Sequence, residues 1–248
     1  MDRSIYTMMN AAISTSERHS ITANNLANSS TSGFRSQISM SKSVEIKGPT
    51  FLTRSLSTNI TTKNSDLPGA INYSGRDLDV AIMNDGWLSV KLKNGIEGYT
   101  KNGHITIDEE GKLRIKNYIL LGSDGNEIEI PPGSKLTISE DGIISALSAG
   151  EPSKSIVPIG KLKLVKAKTN EFNLSNDGIF TTFKNKKLIE DASVKLIPKS
   201  FEESNVQAVD AMIKIINDAR NFEIHMKVIS DISENSRISN QLLSINQV

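Results

Sequence analysis

The sequence predicts an α+β fold: a discontinuous bundle of long N- and C-terminal helices, a connecting β segment, and a central antiparallel β barrel or sandwich. Three observations predict it. Apolar residues recur at three- and four-residue steps at both ends of the 248-residue chain, the spacing that keeps side chains on one helical face. Between the ends the period drops to two, as in strands with one buried face. Pairs such as Asp85-Gly86, Asn94-Gly95, Asn102-Gly103, Asp124-Gly125 and Asp141-Gly142 separate the alternating runs at hairpin spacing. Four parts follow: residues 1–35 as an N-terminal helix and turn motif, 36–74 with 166–203 as the connecting β segment, 75–165 as a central all-β domain, and 204–248 as the C-terminal helix.

The first helix is expected over about residues 2–28, with Ile5, Met9, Ala12, Ser16, His19, Ala23 and Leu26 on one stripe. Most of these side chains are small, which suits close packing among many helices. The helix should end at Asn24-Asn25-Leu26-Ala27-Asn28, where asparagines and Gly33 accept left-handed conformations and Phe34 anchors the turn.

Residues 37–74 are rich in Ser, Thr, Asn and Lys, with short apolar groups at Val44, Ile46, Phe51, Leu52 and Ile60, and read as extended or loop-like. The alternating runs then begin. Leu78, Val80 and Ile82 alternate with Asp77, Asp79 and Ala81, and later strands follow through Leu164 and Val165. A second short sheet segment, from Phe172 to Ile197, is expected to pair with 37–74.

The last helix carries Val209, Met212, Ile216, Ala219, Met226, Ile229 and Leu243 on one face, uninterrupted by proline or glycine. Ser204 or Asn205 is placed to cap it. At ~1.5 Å per residue it would run about 60 Å, too long and narrowly striped for one small domain, so it reads as one strand of a helical bundle or coiled coil. A two-helix hairpin is the plainer alternative. Because the C-terminal stripe is the longer one, such a hairpin would leave part of it open to neighbouring copies.

Composition excludes several functions. With 29 basic and 28 acidic residues there is no long-range field for nucleic acid or an anionic membrane. With zero cysteines, thiolate zinc sites are excluded. Aromatic residues at 5% argue against a rigid small-molecule pocket, so no small-molecule substrate is expected. The mixed-charge start Met1-Asp2-Arg3-Ser4-Ile5-Tyr6 lacks an apolar h-region, so no cleaved signal peptide is expected, and no stretch reaches the ~18 apolar residues of a membrane span.

No catalytic or metal constellation emerges. His19, His104 and His225 are scattered without partners at ligand spacing. Asp77 and Asp79 share a strand face, as an acid–base pair requires, but read as the solvated side of a strand. Trp87 reads as a core anchor rather than a ligand platform, and Lys184, Lys186 and Lys187 as a solvated turn. No catalytic residue, cofactor or metal site is expected.

The run Ala23-Asn24-Asn25-Leu26-Ala27-Asn28 with Thr31-Ser32-Gly33-Phe34-Arg35 resembles the N-terminal signature of the flagellar rod and hook axial proteins. Ser204-Asn205-Val206, Met212-Ile213 and Ala219-Arg220-Asn221-Phe222-Glu223 resemble their C-terminal signature. Gly75-Arg76-Asp77-Leu78-Asp79-Val80-Ala81-Ile82, Pro131-Pro132-Gly133-Ser134 and Gly160-Lys161-Leu162-Lys163-Leu164-Val165 resemble the proximal rod branch in particular. The resemblance implies a non-enzymatic structural subunit that transmits torque and surrounds an export channel. It implies assembly through Ile5, Met9, Ala12, Ala23, Asn24, Asn25, Leu26, Asn28, Gly33 and Phe34, and through Val209, Met212, Ile216, Ala219, Phe222, Met226, Ile229 and Leu243. Implied partners are further copies, proximal and distal rod subunits, and the flagellar export apparatus, with a periplasmic location in the basal body. Two other readings stand beside it: a distal rod or hook subunit, and a carbohydrate- or peptide-binding β module on a helical stalk.

Overall fold

Runs without glycine or proline open and close the chain, and both are helices: α1, Asp2–Ala27, and α2, Ala208–Ile245. The computed structural model describes every residue except 1, 48–51, 84, 148–155, 175–177, 184–185 and 246–248. The expected features at Phe51 and Lys184 lie outside the described residues. The chain divides into two units, one of Met1–Ala27, Gln37–Lys63 and Val206–Val248, the other of Asn28–Ser36 and Asn64–Asn205. Among the described residues no helix is long and apolar enough to cross a membrane.

In the first unit α1 packs alongside α2, with Arg18 and Asp218 forming an ion pair at 3.8 Å. The covered face of α1 runs through Ile5, Met8, Ala12, Thr15, His19, Thr22 and Leu26, of which Ala12 and Thr15 are buried. The Thr15 hydroxyl donates to the Ala11 carbonyl at 2.9 Å, which lets a polar residue lie in this apolar seam. On α2 the covered face runs through Ala208, Ala211, Ile215, Asp218, His225, Ile229, Ile232 and Ser236. Steps of three and four on both helices are those of helices packed side by side. The strands β1 (Gln37–Lys47) and β2 (Leu52–Asn64) pair with each other as a two-stranded sheet.

The second unit is antiparallel β structure. Its strands are β3 (Ile71–Tyr73), β4 (Val80–Ile82), β5 (Gly86–Lys91), β6 (Glu97–Thr100), β7 (Thr106–Ile107), β8 (Leu113–Ile115) and β9 (Tyr118–Leu120). They continue with β10 (Lys135–Ile138), β11 (Ile143–Leu147), β12 (Ile156–Lys161), β13 (Leu164–Lys166), β14 (Phe172–Leu174), β15 (Phe180–Thr182), β16 (Leu196–Pro198) and β17 (Ser200–Glu202). The largest sheet has the order β14-β15-β6-β5-β9-β8-β7, with β13 on β5; β10-β11-β12 form a second sheet, and β16-β4 and β17-β3 form pairs. Among the described residues the strand path does not close into a barrel. One apolar cluster draws Leu88, Val90, Leu113, Ile115 and Leu120 from the large sheet and Leu136, Ile138, Ile144 and Ala146 from the second. A second cluster holds Trp87, Tyr99, Phe172 and Phe180, with Trp87 donating from Nε1 to the Ala167 carbonyl at 2.8 Å.

Several expectations are corrected. β1 pairs with β2 rather than with the 172–197 segment; among the described residues the strand pairing between the outer segments is that of β3 with β17. Asp79 is not on a solvated face but 1% exposed, against His104 Nδ1 at 3.0 Å. Arg76 Nη1 lies 2.9 Å from His104 Nε2, and because a guanidinium can only donate, that nitrogen accepts. Asp77 pairs with Lys199 at 3.1 Å. Ala81 is buried with Val80 and Ile82, since β4 is covered on both faces. Gly86 opens a buried strand, and a Cβ on Gly103 would lie 1.5 Å from the Val80 carbonyl oxygen, so these two glycines serve close approach rather than hairpin turns.

Candidate functional site

The residues after α1 turn twice, Thr31 N–H donating to the Asn28 carbonyl at 3.1 Å and Phe34 N–H to the Thr31 carbonyl at 3.2 Å. Asn28 Oδ1 also meets the Thr31 hydroxyl at 3.3 Å. Gly33, at φ +68°, then lies against the backbone of Lys101 and Asn102, where a Cβ would come within 2.4 Å of the Lys101 carbonyl carbon. Only glycine satisfies both the left-handed conformation and that approach. Its N–H donates to the Glu202 carbonyl at 2.7 Å, which joins the turn to β17.

The join is reinforced by a buried ion pair. Arg35 and Glu202 are 4% and 2% exposed, with Arg35 Nη2 2.8 Å from Glu202 Oε1. Arg35 Nη1 donates to the Asp66 carbonyl at 3.3 Å, and Glu202 Oε1 also accepts the Gly69 N–H at 2.8 Å. Burial pulls the Arg35 guanidinium below its ordinary value, while Glu202, Asp66 and Asp85 oppose that shift. Asn205 completes the clasp: its Oδ1 accepts from Ser36 N–H at 2.8 Å and its Nδ2 donates to the Leu67 carbonyl at 2.9 Å. Its side chain is therefore a cross-link between segments far apart in sequence, not the helix cap that its position before α2 suggested.

Beside the clasp is a cavity of about 290 Å³ whose lining includes Arg35, Ile71, Met83, Trp87, Lys101 and Glu202. Lys101 is 3% exposed and its ammonium stands 5.1 Å from the Trp87 ring centroid. Burial, with Arg35 adding to it, pushes its pKa down to about 8 against the opposing pull of Glu202 and Asp85. Burial likewise pushes the Tyr99 hydroxyl upward, and its oxygen accepts the Leu188 N–H at 2.8 Å.

In the helical unit the sequence-derived residues occupy several environments. Ala12 is buried, Ile5 and Leu26 are half-buried, and Met9, Ala23 and Asn24 are exposed. Asn25 clamps β1, donating from Nδ2 to the Gln37 carbonyl and accepting Gln37 N–H at Oδ1, both at 2.8 Å. Val209, Met212, Ile216, Ala219, Phe222 and Met226 are exposed and Ile229 is half-buried; the side chain of Leu243 lies outside the described residues. Val209 is 69% exposed, and Ile213 and Ile224, at 53% and 58%, widen the apolar face. The residues that meet α1, Ala211 and Ile215, are offset by one position from the stripe read in the sequence. Periodicity could not choose between them, because α2 carries apolar residues on two faces. Arg35 was visible in the N-terminal motif, but nothing local in the sequence pointed to Glu202 as its partner.

Comparison with known proteins gives concordant matches at both ends and in the middle. The family description "Flagella basal body rod protein" matches residues 5–35, "Flagellar hook protein FlgE/F/G D1 domain" matches 81–146, and "Flagellar basal body rod FlgEFG protein C-terminal" matches 198–242. The chain is 43% identical to Flagellar basal-body rod protein FlgF of Salmonella typhimurium (strain LT2) over 251 aligned residues, covering 99% of this chain and 100% of that protein. FlgF of Escherichia coli (strain K12) matches at the same identity and coverage. Flagellar basal-body rod protein FlgG of Buchnera aphidicola subsp. Baizongia pistaciae is 27% identical over 85% of this chain and 88% of its own length.

Proposed function

This chain belongs to the flagellar basal-body rod proteins, and from that premise we propose that it builds the rod by packing the outward face of α2 against neighbouring subunits. It is a structural subunit and not an enzyme, as the family is. The observation that carries the packing proposal is the apolar face of Val209, Met212, Ile213 and Ile216, all at least half exposed while the opposite face of the same helix is covered by α1. A helix with two apolar faces and one partner within its own chain has a face left for a second partner. Repeated copies, together with other rod subunits, would then form a drive shaft that transmits torque around an export channel. The chain would reach the periplasmic part of the basal body through the flagellar export apparatus. Support for a two-sheet sandwich comes from the shared apolar cluster between the large sheet and β10-β11-β12.

The FlgF matches at 43% favour the proximal rod branch over the distal branch, represented by a FlgG match at 27%. The binding-module reading is disfavoured because Trp87, Tyr99, Phe172 and Phe180 are buried together rather than offered to a ligand.

The proposal is tested with Ile216→Glu and Met226→Glu. Both side chains are about half exposed, at 52% and 47%, so the fold should survive while packing between subunits fails. Basal bodies purified from cells carrying either variant should lack the chain, while Trp87 emission of the purified variant stays that of wild type. Normal incorporation of both variants would overturn the assembly face.

A further inference from the structure

We propose that Phe183, Lys186 and Lys187 of one copy of this chain dock into the acidic cleft beside Ile107 of a second copy, a contact repeated head to tail between β units. This rests on the reading of the chain as a self-assembling rod subunit. The cleft, about 340 Å³, has Ile107, Glu109, Ile130, Pro131 and Pro132 in its lining. It is open to solvent: Ile107 is 42% exposed, and Glu109, Pro131 and Pro132 are exposed with it. With a ~30 Å³ share of liquid volume per water, it has room for an aromatic ring, and proline faces are surfaces that aromatic rings pack on. Its two sides are tied together, Gly111 N–H donating to the Asp108 carbonyl at 2.9 Å and Ile130 N–H to the Gly111 carbonyl at 3.0 Å.

Charge selects what enters it. Asp108 is balanced by Arg114 at 2.5 Å. Lys112 is shared by Glu110 at 3.2 Å and Glu127 at 3.0 Å, and Lys91 meets Glu127 at 2.9 Å. That leaves Glu109, in the lining, and Glu129, beside Ile130 in sequence; both are exposed and neither has an ion pair among the described residues. An open apolar cleft with two uncompensated carboxylates favours an occupant that is apolar and cationic, and repels an acidic one.

The residues after β15 answer that description on the same chain. Phe183 is 54% exposed, and Lys186 and Lys187 are exposed with no ion pair among the described residues. Their neighbours are anchored: the Thr182 hydroxyl donates to the Lys186 carbonyl at 2.7 Å, and Leu188 N–H donates to Tyr99 Oη at 2.8 Å. Anchored backbone lowers the ordering entropy that these side chains lose on docking. The two patches lie toward opposite margins of the large sheet, one following β15 beside edge strand β14, the other at edge strand β7. Because they are different patches, the contact is heterologous, and a rotation that does not close yields an open helical array.

The test reverses charge on each side. Lys186→Glu with Lys187→Glu, or Glu109→Lys with Glu129→Lys, should each lower incorporation into purified basal bodies about tenfold or more. All four substitutions in one chain should restore it. The four side chains are exposed, so the fold should survive, and Trp87 emission of each purified variant checks that it does. Because the chain has no cysteine, Phe183→Cys and Pro132→Cys each carry a single thiol. Expressed together and treated in basal bodies with a short bismaleimide, they should give a mixed dimer that neither gives alone. Loss on reversing the lysines, with the glutamate reversal neutral and no mixed dimer, would assign the lysines to a different subunit and overturn this contact. Full incorporation of both reversals, or no recovery in the fourfold variant, would overturn it too. Basal bodies that lack even the wild-type chain would overturn the rod reading itself, and this contact with it.

Discussion

Replacing Glu202 with glutamine should destabilise the β unit by about 3 kcal/mol. Removing one partner of a buried ion pair typically costs ~3–5 kcal/mol, because the other charge is stranded away from water. Here the stranded group would be Arg35, 4% exposed and held 2.8 Å from Glu202 Oε1. Glutamine retains an oxygen that can accept the Gly69 N–H, now bonded at 2.8 Å, and so preserves ~1 kcal/mol of the original interaction. That places the expectation at the lower end of the range. Urea unfolding followed by Trp87 emission measures it, since the lone tryptophan is fully buried in the unit that holds the pair. In the double variant with Arg35→Met neither buried charge remains, and the combined loss should fall short of the sum of the singles by about 2 kcal/mol. A single-variant cost under about 1 kcal/mol, or strict additivity in the cycle, would refute the claim that this pair locks the two terminal motifs together.

Two further outcomes are expected in the same unit. Gly33→Ala forces a Cβ to within 2.4 Å of the Lys101 carbonyl carbon at φ +68°, so it should cost at least ~2 kcal/mol in the same urea assay; a neutral result would remove the turn from the clasp. Lys101 has its folded pKa lowered from 10.5 to about 8, so between those values the unfolded chain binds the extra proton and stability should rise with pH, by up to roughly 3 kcal/mol. The upward-shifted Tyr99 hydroxyl opposes this above pH 10, so unfolding is best compared at pH 7.5 to 9.5, about the Lys101 midpoint, and Lys101→Met should flatten the rise. An unchanged slope in that variant would assign the pH dependence elsewhere.

Sequence alone determined the elements whose rules are local. Uninterrupted three-and-four periodicity was enough for α1 and α2, and alternation with Asn94-Gly95, Asp124-Gly125 and Asp141-Gly142 was enough for antiparallel strands. The motif residues Asn25 and Gly33 were also legible, and their geometry supplies the reason for them: a clamp on Gln37 and a close approach to Lys101. Tertiary structure alone decided which face of α2 meets α1, since a helix apolar on two sides has no periodic signal to rank Ile215 over Ile216. It also decided that β1 pairs with β2, that Asp79 is buried against His104, and that Asn205 bridges Ser36 and Leu67 instead of capping a helix. The Arg35–Glu202 pair is the extreme case: its partners stand at opposite ends of the chain, and their attraction is expressed only once folding has brought them together and excluded water from between them.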